Sequence, residues 1–73
     1  MDKKLRIMKK AGGKIVGKDR VRFNRSRTLV AAAVRYIRSK GRDGPHPGTP
    51  LEQYIALHSD LVRWDGDRTL TVI

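Results

Sequence analysis

The stretch Asn24-Arg-Ser-Arg-Thr-Leu-Val-Ala-Ala-Ala-Val-Arg-Tyr-Ile-Arg-Ser-Lys-Gly41 decides the fold, because its pattern reads as one secondary structure throughout. Leu29, Val30, Ala33, Val34 and Ile37 recur at i, i+1, i+4, i+5 and i+8, which places them on one stripe of a 3.6-residue helix. Asn24 or Ser26 is suited to cap the first turn, and Ala31-Ala32-Ala33 supplies strong helix propensity. Gly41 is placed to take the left-handed position after the last turn. A helix over about 27–40 is expected, with Arg35 and Arg38 off the stripe and facing water or a partner.

Immediately upstream, Arg20-Val21-Arg22-Phe23 alternates strictly. Val21 and Phe23 point one way and Arg20, Arg22 and Asn24 the other, as in a short strand with an arginine face. Gly17-Lys18-Asp19 reads as a turn, and Lys14-Ile15-Val16 as an apolar pair behind a lysine. Residues 1–10 carry two patterns. Leu5 and Ile7 alternate with Lys4, Arg6 and Met8, which favours a half-buried strand; Asp2 as cap with Leu5 and Met8 three apart fits a short helix ending at Gly12. The strand is the preferred reading, paired across Ala11-Gly12-Gly13 into a hairpin rimmed by lysines, with a basic arm that orders on a partner as the other form of residues 1–13.

Downstream, Arg42-Asp-Gly-Pro-His-Pro-Gly48 is an exposed connector of turn and breaker residues. Thr49-Pro50-Leu51-Glu52 carries three helix-start signals: a threonine cap, proline in the first helical position and a glutamate to close a capping box. Leu51, Tyr54, Ile55, His58, Leu61 and Val62 share one helical face, so a second helix is expected over about 50–61. Trp64-Asp-Gly-Asp67 has the Asp-Gly pair of a tight turn, and Leu70 and Val72 alternate with threonines in a closing strand. The whole of 1–73 thus reads as one small α+β domain, 14–73 forming the body, with two helices packed on a small, mostly antiparallel sheet. Its expected core is Val21, Phe23, Leu29, Val30, Ala33, Val34, Ile37, Leu51, Ile55, Leu61, Leu70 and Val72.

Charge is the strongest global feature of these 73 residues, whose formal net charge is +10. Residues 1–42 hold 15 Lys and Arg against Asp2 and Asp19, a net of +13, whereas residues 43–73 hold two arginines against five acids, a net of −3. That polarity favours docking of an anionic partner on one side. Cysteine is absent, so thiolate metal sites and disulfides are excluded. No apolar run approaches a membrane span and the first residues lack a secretory h-region, so a soluble cytoplasmic protein with no membrane partner is expected.

Catalytic and cofactor chemistry find little support. His46 and His58 have no companion at zinc-ligand spacing, and His58 is expected as a half-buried packing residue. Asp60, Asp65 and Asp67 lack a general base or nucleophile beside them, and Asp65-Gly66-Asp67 is ordinary turn chemistry. Gly12-Gly13-Lys14 lacks the rest of a phosphate loop. No enzyme, no cofactor and no metal are therefore expected. Among the aromatics only Phe23 and Tyr36 fall in the basic half, which is poor for base stacking; lysines and arginines on short strands and turns suit phosphate or carboxylate contacts instead.

Two resemblances bear on function. Arg20, Arg22 and Asn24 on one strand face, followed by two helices, resembles the ribbon-helix-helix repressors over Asp19–Val62, which implies a dimer whose two-stranded ribbon reads the major groove. The connector 42–48 is longer than the family's tight turn. By size, charge split and the opening Met-Asp-Lys-Lys-Leu-Arg-Ile-Met-Lys-Lys-Ala-Gly-Gly-Lys (1–14), the chain resembles small phage-encoded regulators, of the kind found in Xanthomonas phages, that bind bacterial RNA polymerase. That resemblance implies inhibition of initiation or antitermination in the host cytoplasm. It also implies contact near the β′ N-terminal region and RNA exit channel, with help from the elongation factor NusA. The favoured expectation is such a regulator, a monomer, docking on polymerase through Lys3, Lys4, Arg6, Lys9, Lys10 and Lys14. Lys18, Arg20, Arg22, Arg25 and Arg27 form a second basic surface for polymerase or nearby nucleic acid. A third expectation is a basic structural protein that binds RNA or DNA phosphates.

Overall fold

The computed structural model describes residues 3–73, with side chains from Leu5 onward. Seven elements follow in order: α1 (Lys3–Lys10), β1 (Lys14–Gly17), β2 (Arg20–Arg22), α2 (Ser26–Ser39), α3 (Leu51–Leu57), β3 (Val62–Trp64) and β4 (Thr69–Val72). The strands form one antiparallel sheet in the order β1-β2-β4-β3. The α+β domain is as expected, with three helices instead of two.

The third helix is the main correction. Residues 3–10 form α1 and not a strand, so the first hairpin joins β1 to β2 rather than 1–10 to 14–16. The helical spacing prevails because it buries Leu5 and Met8 together and leaves Ile7 half-buried beside them. Its end is fixed by two amides: Gly12 N–H donates to the Lys9 carbonyl at 3.1 Å and Gly13 N–H to the Met8 carbonyl at 3.0 Å. This Schellman closure needs a left-handed residue, and Gly12 supplies it at φ +103°. Gly13 is needed for a different reason: a Cβ there would overlap Val21 Cγ1 and lie 2.9 Å from the Met8 carbonyl oxygen. Asp2, the alternative cap, lies outside the described residues.

In α2 the buried stripe is Leu29, Ala32, Ala33, Tyr36 and Ile37, turned from the expected one. Val30 and Val34 flank the interface half-buried, while Ala32 is small enough to be wholly enclosed and Tyr36 buries its ring with the Lys40 ammonium 5.4 Å from the ring centre. Neither Asn24 nor Ser26 caps the helix; Arg25 occupies that position without a side-chain bond. Gly41 closes the other end at φ +82°, its N–H donating to the Arg38 carbonyl.

The second predicted helix is shorter than expected. It begins at Leu51 with Pro50 in the capping position, and the Thr49–Glu52 capping box does not form. It stops at Leu57, after which His58 to Leu61 turn and Val62 enters β3. The helical register of Leu61 and Val62 was coincidental: Val62 and Trp64 alternate on a strand, opposite Val72 and Leu70. Leu51 stays 42% exposed and Leu61 half-buried, so neither joins the core, while Tyr54 and Val62 do. Tyr54 donates its hydroxyl to the Asp43 carbonyl at 2.6 Å, and burial pushes its pKa up against the pull of the Arg38 charge. The Arg42 guanidinium grips both oxygens of Asp60 at 2.8 and 2.6 Å and sits 3.2 Å from His58 Nδ1. Connector and α3 are thereby tied together.

Candidate anion-binding surface

Strand alternation sorts the sheet into two faces. Val21, Leu70, Val72 and Val62 are enclosed against the helices, together with Phe23 just beyond β2. The other face carries Lys14 opposite Arg22 opposite Thr69 in one row, and Arg20 opposite Thr71 opposite Arg63 in the next. Lys14, Arg20, Arg22 and Arg63 are all exposed. Four cations therefore share one open sheet face, with Thr71 half-buried and Thr69 buried in the rows between them.

Acids of the β3–β4 turn reach onto this face. Arg20 Nε lies 3.8 Å from Asp65 Oδ2, Arg22 Nη2 lies 3.7 Å from Asp67 Oδ2, and the Thr71 hydroxyl donates to the Asp65 carboxylate. These ion pairs are longer than hydrogen bonds and open to water, so they orient the guanidiniums without cancelling their charge. Their source is a turn of unusual backbone: Gly66, Asp67 and Arg68 all have positive φ, at +81°, +43° and +58°. Arg68 is held there by its guanidinium, which donates to the Asn24 carbonyl at 2.7 Å, and by its own carbonyl, which accepts from Phe23 N–H at 2.8 Å.

A second cationic layer lies with the helices. Arg6, Lys9 and Lys10 project from α1 opposite its apolar side, the two lysines also complementing the negative end of the helix dipole. Arg25 and Arg27 begin α2, and Arg38, eleven residues beyond Arg27, returns to the same outward line. Lys18 stands exposed in the β1–β2 turn. Arg6, Lys9, Lys10, Lys14, Lys18, Arg25 and Arg27 form no ion pair among the described residues.

The structure therefore divides the predicted sets differently. Lys3 and Lys4 belong to α1, with side chains outside the description; Arg6, Lys9 and Lys10 lie in the helical layer; Lys14 is on the far face of the sheet with Arg20 and Arg22. Arg25 and Arg27 part from Arg20 and Arg22 for the same reason. The ribbon arrangement is not available to this fold. β2 is hydrogen-bonded on both edges, to β1 and β4, and ends at Arg22, so Arg20, Arg22 and Asn24 do not form the free strand of a dimeric ribbon. Arg63 was missed; its signal was the alternation Val62-Arg63-Trp64 ahead of the Asp-Gly turn, which was divided between the helix stripe, taken to include Val62, and a turn beginning at Trp64.

The face suits phosphate or carboxylate groups better than bases. Phe23, Tyr36 and Tyr54 are buried, and Trp64 lies opposite Leu70 on the helix side, half-buried, so no described aromatic is offered for stacking on the cationic face. An open groove of about 1040 Å³ runs between α3 and the β3–β4 turn, with Glu52, Asp65 and Asp67 as well as Arg63 and Arg68 on its walls. Among the described residues no three His, Asp or Glu side chains gather as metal ligands. Asp60, one of the acids considered for a metal, is committed to Arg42, whose hydrogen bonds hold its carboxyl below the usual range. His58 is half-buried against the Tyr54 ring, as expected. No described helix is long and apolar enough to cross a membrane. Comparison with protein-family models, curated proteins and solved structures finds no match to this chain.

Proposed function

We propose that this is a binding protein that docks on an acidic or polyanionic surface, and that the surface belongs to the bacterial transcription machinery. The observation that carries the first part is the gathering of Lys14, Arg20, Arg22 and Arg63 on an open sheet face, with Arg6, Lys9 and Lys10 on the helical side. Guanidinium forks and ammonium groups placed on short, rigid strands bind carboxylates and phosphates without reading a base sequence. The second part rests on the resemblance to small phage-encoded regulators: the protein binds RNA polymerase, with NusA assisting, and restrains initiation or promotes antitermination. Polymerase surfaces beside exiting RNA present the acidic groups and phosphates toward which a chain of net charge +10 is steered.

Affinity capture from bacterial lysate at about physiological salt, with and without nuclease, tests this reading. Retention of core polymerase subunits after nuclease is the expected result, lost in the Lys9→Glu, Lys10→Glu double variant. If only nucleic acid is held, and nuclease removes it, the polymerase assignment fails. The protein is then a general phosphate binder whose affinity falls steeply with salt on any duplex or RNA.

A further inference from the structure

The two edges of the sheet are unequal. β3 is covered by α3 and encloses Val62 completely, whereas β1 is exposed along its whole length, with Ile15 40% and Val16 49% accessible. Among the described residues, β1 is bonded on one side only. Its free groups follow from the ladder. Phe23 N–H donates to the Arg68 carbonyl and Val72 N–H to the Asp19 carbonyl, so odd-numbered residues along β2 bond toward β4 and even-numbered ones toward β1. Lys14, opposite Arg22, therefore bonds inward, and Ile15 turns its N–H and carbonyl to the open edge.

An open edge bearing two adjacent β-branched apolar residues is a template for strand addition. Lys14, Lys18 and the register irregularity between Ile15 and Gly17 guard such an edge against another copy of this chain, because pairing β1 with β1 brings lysines against lysines. The same lysines attract a strand of opposite charge. Nucleic acid offers no ladder of amides and carbonyls to match Ile15. We propose that β1 is the docking edge for an extended, acidic protein segment that adds to the sheet as a fifth strand, its backbone bonded to Ile15 and its carboxylates beside Lys14 and Lys18. This deepens the binding function above and rests on it, naming the chemistry of the partner.

The test uses the isotopically labelled full chain, titrated with a blocked peptide of about ten alternating glutamates and valines and, separately, with single-stranded oligothymidylate of like length. The expected result is amide shifts confined to β1 and its flanks with the peptide, and protection of the Ile15 amide from exchange by about tenfold or more. Ile15→Pro removes the outward donor, leaves the β2 ladder intact, and is expected to weaken peptide binding by about tenfold. Should that variant lose its fold, Lys14→Glu with Lys18→Glu, both at exposed positions, serves instead and should abolish binding. If the peptide shifts only α1 and α2, with no protection at Ile15, strand addition is overturned while the anionic docking reading stands. If oligothymidylate alone binds, the partner is nucleic acid and the proposal falls. If neither ligand shifts any amide, both readings fail.

Discussion

The two hairpins of the sheet are built alike and used differently. Each has two short strands and a tight turn, and their inner strands, β2 and β4, pair at the centre. Beyond that they diverge. The β1–β2 hairpin carries Lys14, Lys18, Arg20 and Arg22 and leaves its edge open; the β3–β4 hairpin carries Asp65 and Asp67 in its turn, encloses Val62 and Leu70, and has α3 against its edge. Core packing is thereby shared by β2, β3, β4 and the helices, Val21 being as enclosed as Leu70, while β1 and the arginines of β2 hold exposed cationic surface. A small domain with few residues to spare for its core gains from that division, since charge can be altered on one hairpin without disturbing the packing of the other.

The sharpest way to break the contrast is to cut one apolar side chain in each hairpin. Leu70 is fully enclosed, and Leu70→Ala should cost about 3 kcal/mol through lost transfer energy and the cavity left behind. Ile15→Ala, on the open edge, should cost under about 1 kcal/mol. Urea unfolding of the two variants reads the difference directly. Equal losses would mean that the edge strand β1 is as integral to the core as β4.

Next in size is the joint between α1 and the first hairpin. Gly13→Ala forces a methyl group onto Val21 Cγ1, the Met8 carbonyl and Phe23, and overpacking of this kind costs about 2 kcal/mol. Gly44→Ala is the control, since its methyl group meets only Cδ of the flexible Arg38 side chain, at 3.6 Å. A thermal melt in which Gly13→Ala matches that control would show that α1 is not seated on the hairpin as described.

The flank of the second hairpin should respond to acid. Asp60 is held below the usual carboxylate range chiefly by hydrogen bonds from Arg42, so its folded pKa lies under its unfolded one. The stabilisation it brings is complete above the unfolded value, near 4, and is lost as pH falls through the folded one. Melting temperature measured from neutral pH down to about 3 should fall less steeply for Asp60→Asn than for the parent chain. Parallel curves would mean that Arg42 and Asp60 do not act as a pair in solution.

How much of this was legible beforehand follows from how local each signal is. α2, the turn at 17–19, the β2 alternation and the closing strand are written in consecutive residues, and the structure has all of them. α1 was misread because Leu5 and Ile7 fit period two as well as Leu5 and Met8 fit the helix; the arbiter is burial in the common core against α2 and the first hairpin, a contact across the chain. β3 was hidden because three residues are too few for a period to declare itself beside a helix stripe. The candidate cations were visible singly, but their division between two faces depends on strand pairing, and Arg63 joins Arg20 only through Thr71 of β4.

The smallest expected effect on stability concerns the seam where the hairpins meet. Arg22 and Asp67 are both well exposed, and their 3.7 Å pair contributes a few tenths of a kcal/mol at most. Asp67→Asn is the substitution of choice, because Asn tolerates the left-handed backbone that position 67 adopts at φ +43°. It should leave the melting temperature almost unchanged, yet it removes a negative charge from the edge of the cationic face and frees Arg22. Affinity for a polyanion such as heparin should therefore rise at low salt, and the gain should vanish as salt screens the face. Arg22→Ala should do the reverse by a similar factor. If Asp67→Asn changes stability but not heparin affinity, the β3–β4 turn is a structural clamp on β2 and the sheet face is not where anions bind.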